Sequence, residues 1–286
     1  MTYTLIEDAK GDPRNATTLA VASDLSYLPQ ADASTAFKEQ LGMVANLIAV
    51  GNSQAYILTN DDHIVVAFRG TENPTSLEGL KDWLLTDALN LLILPQGRLG
   101  TDLAAAGVGA RFHQGFVDAL ADIWEPVHKA VETELAKKDR PLWITGHSLG
   151  GSLALLTAWM FLRRTINVHQ VYTYGAPMIG NAEAMKAFEH ELADKVFRYV
   201  DTIDMIPKLP TVSLLANAYE HCPTEKPLGQ LAAKSADTSG AALQFLASKA
   251  VDGILKGTLL DELWNTVINR VNAHMMNNYR DKINKS

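Results

Sequence analysis

The spacing of apolar and polar positions changes several times along the chain, and the order of those changes predicts the architecture. Residues 16–28 carry Leu19, Ala20, Ala22, Leu25 and Tyr27 at helical spacing until Pro29 breaks the pattern. Three short apolar runs follow at 44–50, 55–59 and 63–68, separated by Gly51-Asn52 and Asn60-Asp61-Asp62, which predicts neighbouring strands joined by tight turns. A long connection over 72–111, with one helix expected around 77–85, leads to an amphipathic helix that runs to about residue 138. Its core face includes Phe116, Leu120, Ile123, Val127 and Val131. Then come a strand at 141–145, an apolar helix carrying Leu153, Leu155, Leu156 and Trp159, and a strand at 169–175. A helix at 181–192 with Asn181 as its N-cap and a strand at 195–200 complete the series. This alternation predicts an α/β fold, a mostly parallel central sheet flanked by helices. The tail over 229–283 reads as mostly helical.

Composition narrows the picture without changing it. A chain of 286 residues is ordinary for one α/β enzyme with insertions, and nothing calls for a second domain, so 1–286 is read as one unit. With 47% hydrophobic and 20% charged residues, a large core is expected and disorder is not. The net charge of −7 opposes polyanionic partners, so nucleic acid is not expected. Cys222 is the only cysteine, so no intramolecular disulfide can form. That suits a reducing compartment but also many exported bacterial enzymes. The first residues lack a basic stretch followed by an apolar one, and no apolar run approaches bilayer length. The expectation is a chain without a transmembrane segment, cytoplasmic or exported without a recognisable signal peptide.

The chemistry enters with Trp143-Ile144-Thr145-Gly146-His147-Ser148-Leu149-Gly150-Gly151, a strand ending in Gly-x-Ser-x-Gly and opening directly into a helix. In such a nucleophile elbow the turn is too tight for side chains two before and two after the serine, hence Gly146 and Gly150. The hydroxyl of Ser148 is held clear of the sheet, and the N–H of Leu149 at the helix mouth faces the place where an oxyanion would form. A serine needs a base, and the base needs a carboxylate to hold its tautomer. Among the eight histidines, His147 is adjacent to the serine, but its side chain is expected to point away and to pack or bond beside the turn. The others fall inside helices, on strands or in loops. His274 follows the last long helix, as the order serine, acid, histidine requires. Arg198-Tyr199-Val200-Asp201-Thr202-Ile203-Asp204-Met205-Ile206-Pro207 offers two acids, Asp201 and Asp204, and spacing does not choose between them.

Six motifs stand in one order: Val65-Val66-Ala67-Phe68-Arg69-Gly70-Thr71, Phe112-His113-Gln114-Gly115-Phe116, Gly146-His147-Ser148-Leu149-Gly150-Gly151, Tyr172-Thr173-Tyr174-Gly175-Ala176-Pro177, Asp204-Met205-Ile206-Pro207-Lys208-Leu209-Pro210 and His274. In this the chain resembles the class 3 lipases, whose best-known members are fungal triacylglycerol lipases of the α/β-hydrolase fold. The resemblance covers roughly residues 40–210 and the end of the chain. It implies that Asp204 is the acid, and that Thr71 is a second oxyanion donor through its N–H, with its hydroxyl in support. It further implies that Asp87, following Trp83, orients that hydroxyl, although the stretch between Thr71 and Trp83 is longer than in the fungal enzymes.

Two segments are candidate covers for the site. Residues 72–94 follow Thr71 and carry Leu77, Leu80, Trp83 and Leu84 on one helical face, the position of the lid in this family. The longer departure is the mostly helical insertion over 211–272, whose stripe within 240–268 would cover either the sheet or the site. The resulting expectation is a serine carboxylic-ester hydrolase acting on acylglycerol or related lipid esters at a lipid–water interface, with no metal or organic cofactor. The alternatives are a phospholipase A1, a short-chain esterase, or a catalytically silent lipase-like interaction protein.

Overall fold

The computed structural model describes residues 2–71, 92–192, 194–209, 219–222, 224–229 and 270–285. In chain order its elements are α1 (Pro13–Leu25), α2 (Gln30–Leu41), β1 (Val44–Val50), β2 (Ser53–Thr59), β3 (Ile64–Phe68), β4 (Leu92–Ile93), α3 (Gly100–Ala104) and β5 (Phe112–His113). There follow α4 (Gln114–Lys137), β6 (Leu142–His147), α5 (Leu149–Arg163), β7 (Val168–Tyr174), β8 (Gly180–Asn181) and α6 (Ala182–Leu192). The last are β9 (Val196–Asp201), β10 (Tyr219–Glu220), β11 (Glu225–Leu228), α7 (Val271–His274) and α8 (Met276–Ile283).

Seven strands form the main sheet in the order β1-β2-β3-β6-β7-β9-β11. The first three are antiparallel, because only short turns join them, and Gly51 takes the positive φ of 56° that the first turn needs. From β3 onward every pairing is parallel, since each later strand is reached by a longer crossover. The strands bury both faces: Ile64, Val66 and Phe68 of β3 join the core beneath α4 and α5, while Val65 and Ala67 face the core built by α1, α2 and α8. Trp143 and Trp159, both fully buried, belong one to each core. Burying an aromatic ring of this size contributes about 2–3 kcal/mol.

Apart from the helix expected around 77–85 and most of the tail over 229–283, which lie outside the described residues, the predicted strands and helices are present within one to three residues of their expected bounds. Helix α1 starts earlier than the apolar pattern, at Pro13, because Asp12 caps it by accepting the Arg14 N–H at 2.8 Å. Asn181 caps α6 by accepting from the Ala184 N–H at 3.2 Å. Three features were not predicted. Helix α2 buries only Ala33, Phe37 and Leu41, one side chain per turn, too thin a stripe to read. A small antiparallel sheet, β10-β8-β5-β4, is built from two-residue strands. Within the insertion expected to be mostly helical, residues 225–228 are the seventh strand of the main sheet, paired parallel to β9. The stripe over 240–268 lies outside the described residues, as do residues 72–91 of the candidate lid.

The C-terminal ends of β3, β6, β7 and β9 lie side by side, as the register pairs Phe68 with Gly146, His147 with Tyr174, and Tyr174 with Tyr199. In an open α/β sheet that edge is where sites form. Here it brings together Gly70-Thr71, Ser148, Gly175 and Asp201–Asp204.

Candidate active site

Ser148 sits between β6 and α5 with φ 56° and ψ −129°, a conformation rare outside glycine. A backbone strained in this way costs about 1–3 kcal/mol and persists because its surroundings hold it. They do: the Ser148 N–H donates to the Tyr174 carbonyl at 2.9 Å, and the Ser148 carbonyl accepts from Gly151 N–H at 2.9 Å. The flanking glycines are needed as expected. A Cβ on Gly146 would lie 2.2 Å from the Gly150 carbonyl oxygen, and one on Gly150 would lie 2.5 Å from the Phe68 carbonyl oxygen. The second contact also presses the elbow against the end of β3, which leads into Thr71. Leu149 opens α5, so its N–H is among those that no carbonyl of the helix can satisfy. The Thr71 hydroxyl is buried and makes no hydrogen bond among the described residues. Asp87 lies outside them.

Of the two candidate acids, only Asp204 meets the histidine. Its Oδ2 accepts from Nδ1 of His274 at 2.7 Å and from the Tyr279 phenol at 2.6 Å, and its Oδ1 accepts from the Ile206 N–H at 2.9 Å. Asp204 is 1% exposed and His274 4%. With Nδ1 donating to a carboxylate, Nε2 of His274 is left with its lone pair, and it has no hydrogen-bond partner among the described residues. A buried nitrogen left open is uncommon in a packed interior and is what a general base requires. Gly175, at φ 60°, makes room for this group: a Cβ there would stand 3.0 Å from Cε1 of His274 and 3.1 Å from Oδ2 of Asp204.

Asp201 has a different set of neighbours. It is fully buried and accepts from Lys282 Nζ at 2.5 Å, from the Asn278 amide at 2.6 Å and from the Ile203 N–H at 3.2 Å. It ties α8 to the end of β9 and does not touch His274.

Two tyrosines were not singled out in the sequence. Tyr279 donates to Asp204 and accepts from the Asp201 N–H at 3.2 Å. Burial, with the two carboxylates beside it, pushes its phenol well above the ordinary tyrosine range, so it remains a donor. Its only sequence signal was the stripe Met276, Tyr279 and Ile283, which reads as core. Tyr27 reaches Nδ1 of His147 at 2.8 Å. His147 bonds beside the turn, as expected: its Nε2 bonds the His274 carbonyl oxygen at 2.7 Å. Burial, and then the neighbouring His274, lower its pKa to about 3, so it is neutral near pH 7.

The family model described as lipase (class 3) matches residues 65–214, more than half of the chain. The chloroplastic phospholipase A(1) DAD1 of Arabidopsis thaliana is 33% identical over 162 residues, which are 53% of this chain and 34% of that protein. Secreted mono- and diacylglycerol lipase 1 of Fusarium solani is 30% identical over 163 residues, 55% of this chain and 43% of that protein. The chain thus spans between a third and a half of the length of these relatives. Among solved structures, a mutant form of MDLA from Penicillium cyclopium superposes with a TM-score of 0.59 at 20% identity, covering 79% of this chain and 83% of that one. The triacylglyceride lipase of Rhizomucor miehei gives 0.57 at 19% identity, covering 78% and 82%. At these identities the likeness is one of fold, and the fold is that of the α/β-hydrolases.

Proposed function

The chain belongs to the class 3 lipase family, and from that premise we propose that it is a serine carboxylic-ester hydrolase cleaving acylglycerols or related lipid esters. Ser148 attacks the ester carbonyl while Nε2 of His274 takes its proton, and Asp204 stabilises the imidazolium that results. The backbone N–H groups of Thr71 and Leu149 hold the tetrahedral oxyanion, with the buried Thr71 hydroxyl beside it. His274 then gives its proton to the leaving alcohol, and water activated by the same nitrogen releases the acid and frees Ser148. No step calls for a metal or an organic cofactor. The single observation that carries this reading is the buried Asp204–His274 pair, which leaves the lone pair of Nε2 unused.

The substrate is met at a lipid–water interface, which suits a water-insoluble ester. Among the described residues no helix is long and apolar enough to cross a membrane. A phospholipase A1 is the second reading, supported by the Arabidopsis relative that bears that name. The experiment is labelling by a fluorophosphonate probe, followed by hydrolysis of triglyceride, phospholipid and p-nitrophenyl ester panels. The protein should be labelled and the Ser148→Ala variant should not. If both or neither react, the assignment of Ser148 is wrong. The panel then chooses between the acylglycerol and phospholipid readings.

A further inference from the structure

His274 sits on a single helical turn, and its backbone has an anchor that the triad does not account for. The carbonyl of His274 can only accept, so Nε2 of His147, 2.7 Å away, must carry the hydrogen. Burial keeps His147 neutral, so its Nδ1 has a lone pair and must accept in turn. The partner is the phenol of Tyr27 at 2.8 Å, which therefore donates. Proton positions along the whole chain follow from its one obligatory acceptor: Tyr27 O–H to Nδ1, then Nε2–H to the His274 carbonyl. The far end of this chain is fixed as well. A Cβ on Gly70 would lie 2.0 Å from the Tyr27 oxygen and 2.8 Å from the His147 carbonyl oxygen, so the strand leading to Thr71 packs against both residues.

Resting on the function proposed above, we infer that Tyr27 and His147 are positioning residues: a two-bond relay that pins the backbone of the base and holds it in register with the oxyanion strand. Packing alone does not do this, because a cavity of ≈ 130 Å³ lies on that side, lined by Tyr27, His147, Met275 and Met276 among others. With the relay cut, the turn bearing His274 has room to shift. The backbone of that turn is held by other bonds too, among them the Asn278 amide on the Ala273 carbonyl at 2.9 Å, so cutting the relay weakens the hold without abolishing it. The relay also occupies both nitrogens of His147. The histidine adjacent to the nucleophile in sequence therefore cannot compete with His274 for the serine proton, although the two rings lie only 4.7 Å apart.

The test uses the full chain with p-nitrophenyl butyrate as a soluble ester, and kcat is expressed per site titrated with a fluorophosphonate. Tyr27→Phe should lower kcat about tenfold and His147→Ala about thirtyfold, with KM changed less than about twofold, as expected when hydrogen bonds that orient a base are lost. His147→Gln places an amide N–H within reach of the same carbonyl and should recover kcat to within about threefold of the parent. A merely structural role would instead lower the titratable fraction or the melting temperature and leave kcat per site unchanged. That result, or equal losses in the Gln and Ala variants, overturns the inference. If His147→Ala does not fold, Tyr27→Phe and His147→Gln decide the matter. Relay variants at parental kcat, in a protein whose labelling depends on Ser148, would refute the relay alone. Absence of labelling in the parent would refute the proposed function and the relay with it.

Discussion

Asp201 and Asp204 are three residues apart, and replacing each by asparagine should damage the protein in different ways. All three partners of Asp204 are donors: the His274 ring, the Tyr279 phenol and the Ile206 N–H. An amide has one oxygen and one NH₂, so in either orientation it sets a donor against a donor. With its oxygen toward His274, it confronts the Ile206 N–H and no longer offers a charge to the imidazolium. Flipped, its NH₂ faces Nδ1 and drives the ring proton to Nε2, the nitrogen that must accept from serine. By analogy with serine hydrolases in which this substitution preserves the geometry, kcat should fall about 10⁴-fold. Asp201→Asn leaves the His274–Asp204 bond in place and removes the anion beside Lys282. That lysine side chain is 28% exposed and can turn to water, so the cost is moderated to about 1–2 kcal/mol, several degrees in Tm. The assay is kcat on a soluble ester per titrated site, alongside a thermal melt for each variant. The expected pattern is a near-dead Asp204→Asn with a modest change in Tm, and an active but less stable Asp201→Asn. Comparable losses of kcat per site in the two variants, or the reverse ranking, would refute the assignment of the acid.

Three further outcomes follow from the same geometry. Tyr279→Phe removes a charge-assisted bond to Asp204 and strands the buried Asp201 N–H, so stability should drop by about 2–3 kcal/mol in urea denaturation; an unchanged midpoint would show that the phenol is dispensable. Gly175→Ala forces a side chain into a positive φ of 60° and against Cε1 of His274, and should reduce kcat per site at least about tenfold; parental turnover would mean that the triad has slack which the contacts deny. His113, His147 and His221 are each held by burial at a pKa of about 3, so the unfolded chain binds more protons than the folded one between there and the ordinary value near 6.5. Their contribution is complete above about pH 6.5 and is lost as pH falls toward 3, on the order of 1 kcal/mol per pH unit for each histidine. Urea midpoints should therefore fall steeply from pH 7 to 5, and a flat profile would contradict neutral burial.

Most of the architecture and the nucleophile were legible because both are written locally. Strand and helix periods appear within a dozen residues, and an elbow needs its glycines at fixed offsets from Ser148, so steric demands that act over five residues leave a mark over five residues. The order of elements carried the parallel sheet, since strands alternating with helices leave the long crossovers that parallel pairing requires. What spacing left open was the choice between Asp201 and Asp204. Asp201 ends β9 and Asp204 lies three residues on, and only the fold shows that His274, 70 residues beyond Asp204, approaches one and not the other. Tyr27, Tyr279 and the bonding of His147 were hidden for the same reason. Each is an aromatic or histidine side chain on an apolar stripe, and its polar partner comes from another part of the chain. Residues 225–228 could not be placed either, because a four-residue edge strand owes its conformation to β9 beside it more than to its own composition. Local sterics and periodicity are properties of a segment and can be read from it. Which donor meets which acceptor across the sheet edge is a property of the packed chain, and only the tertiary structure decided it.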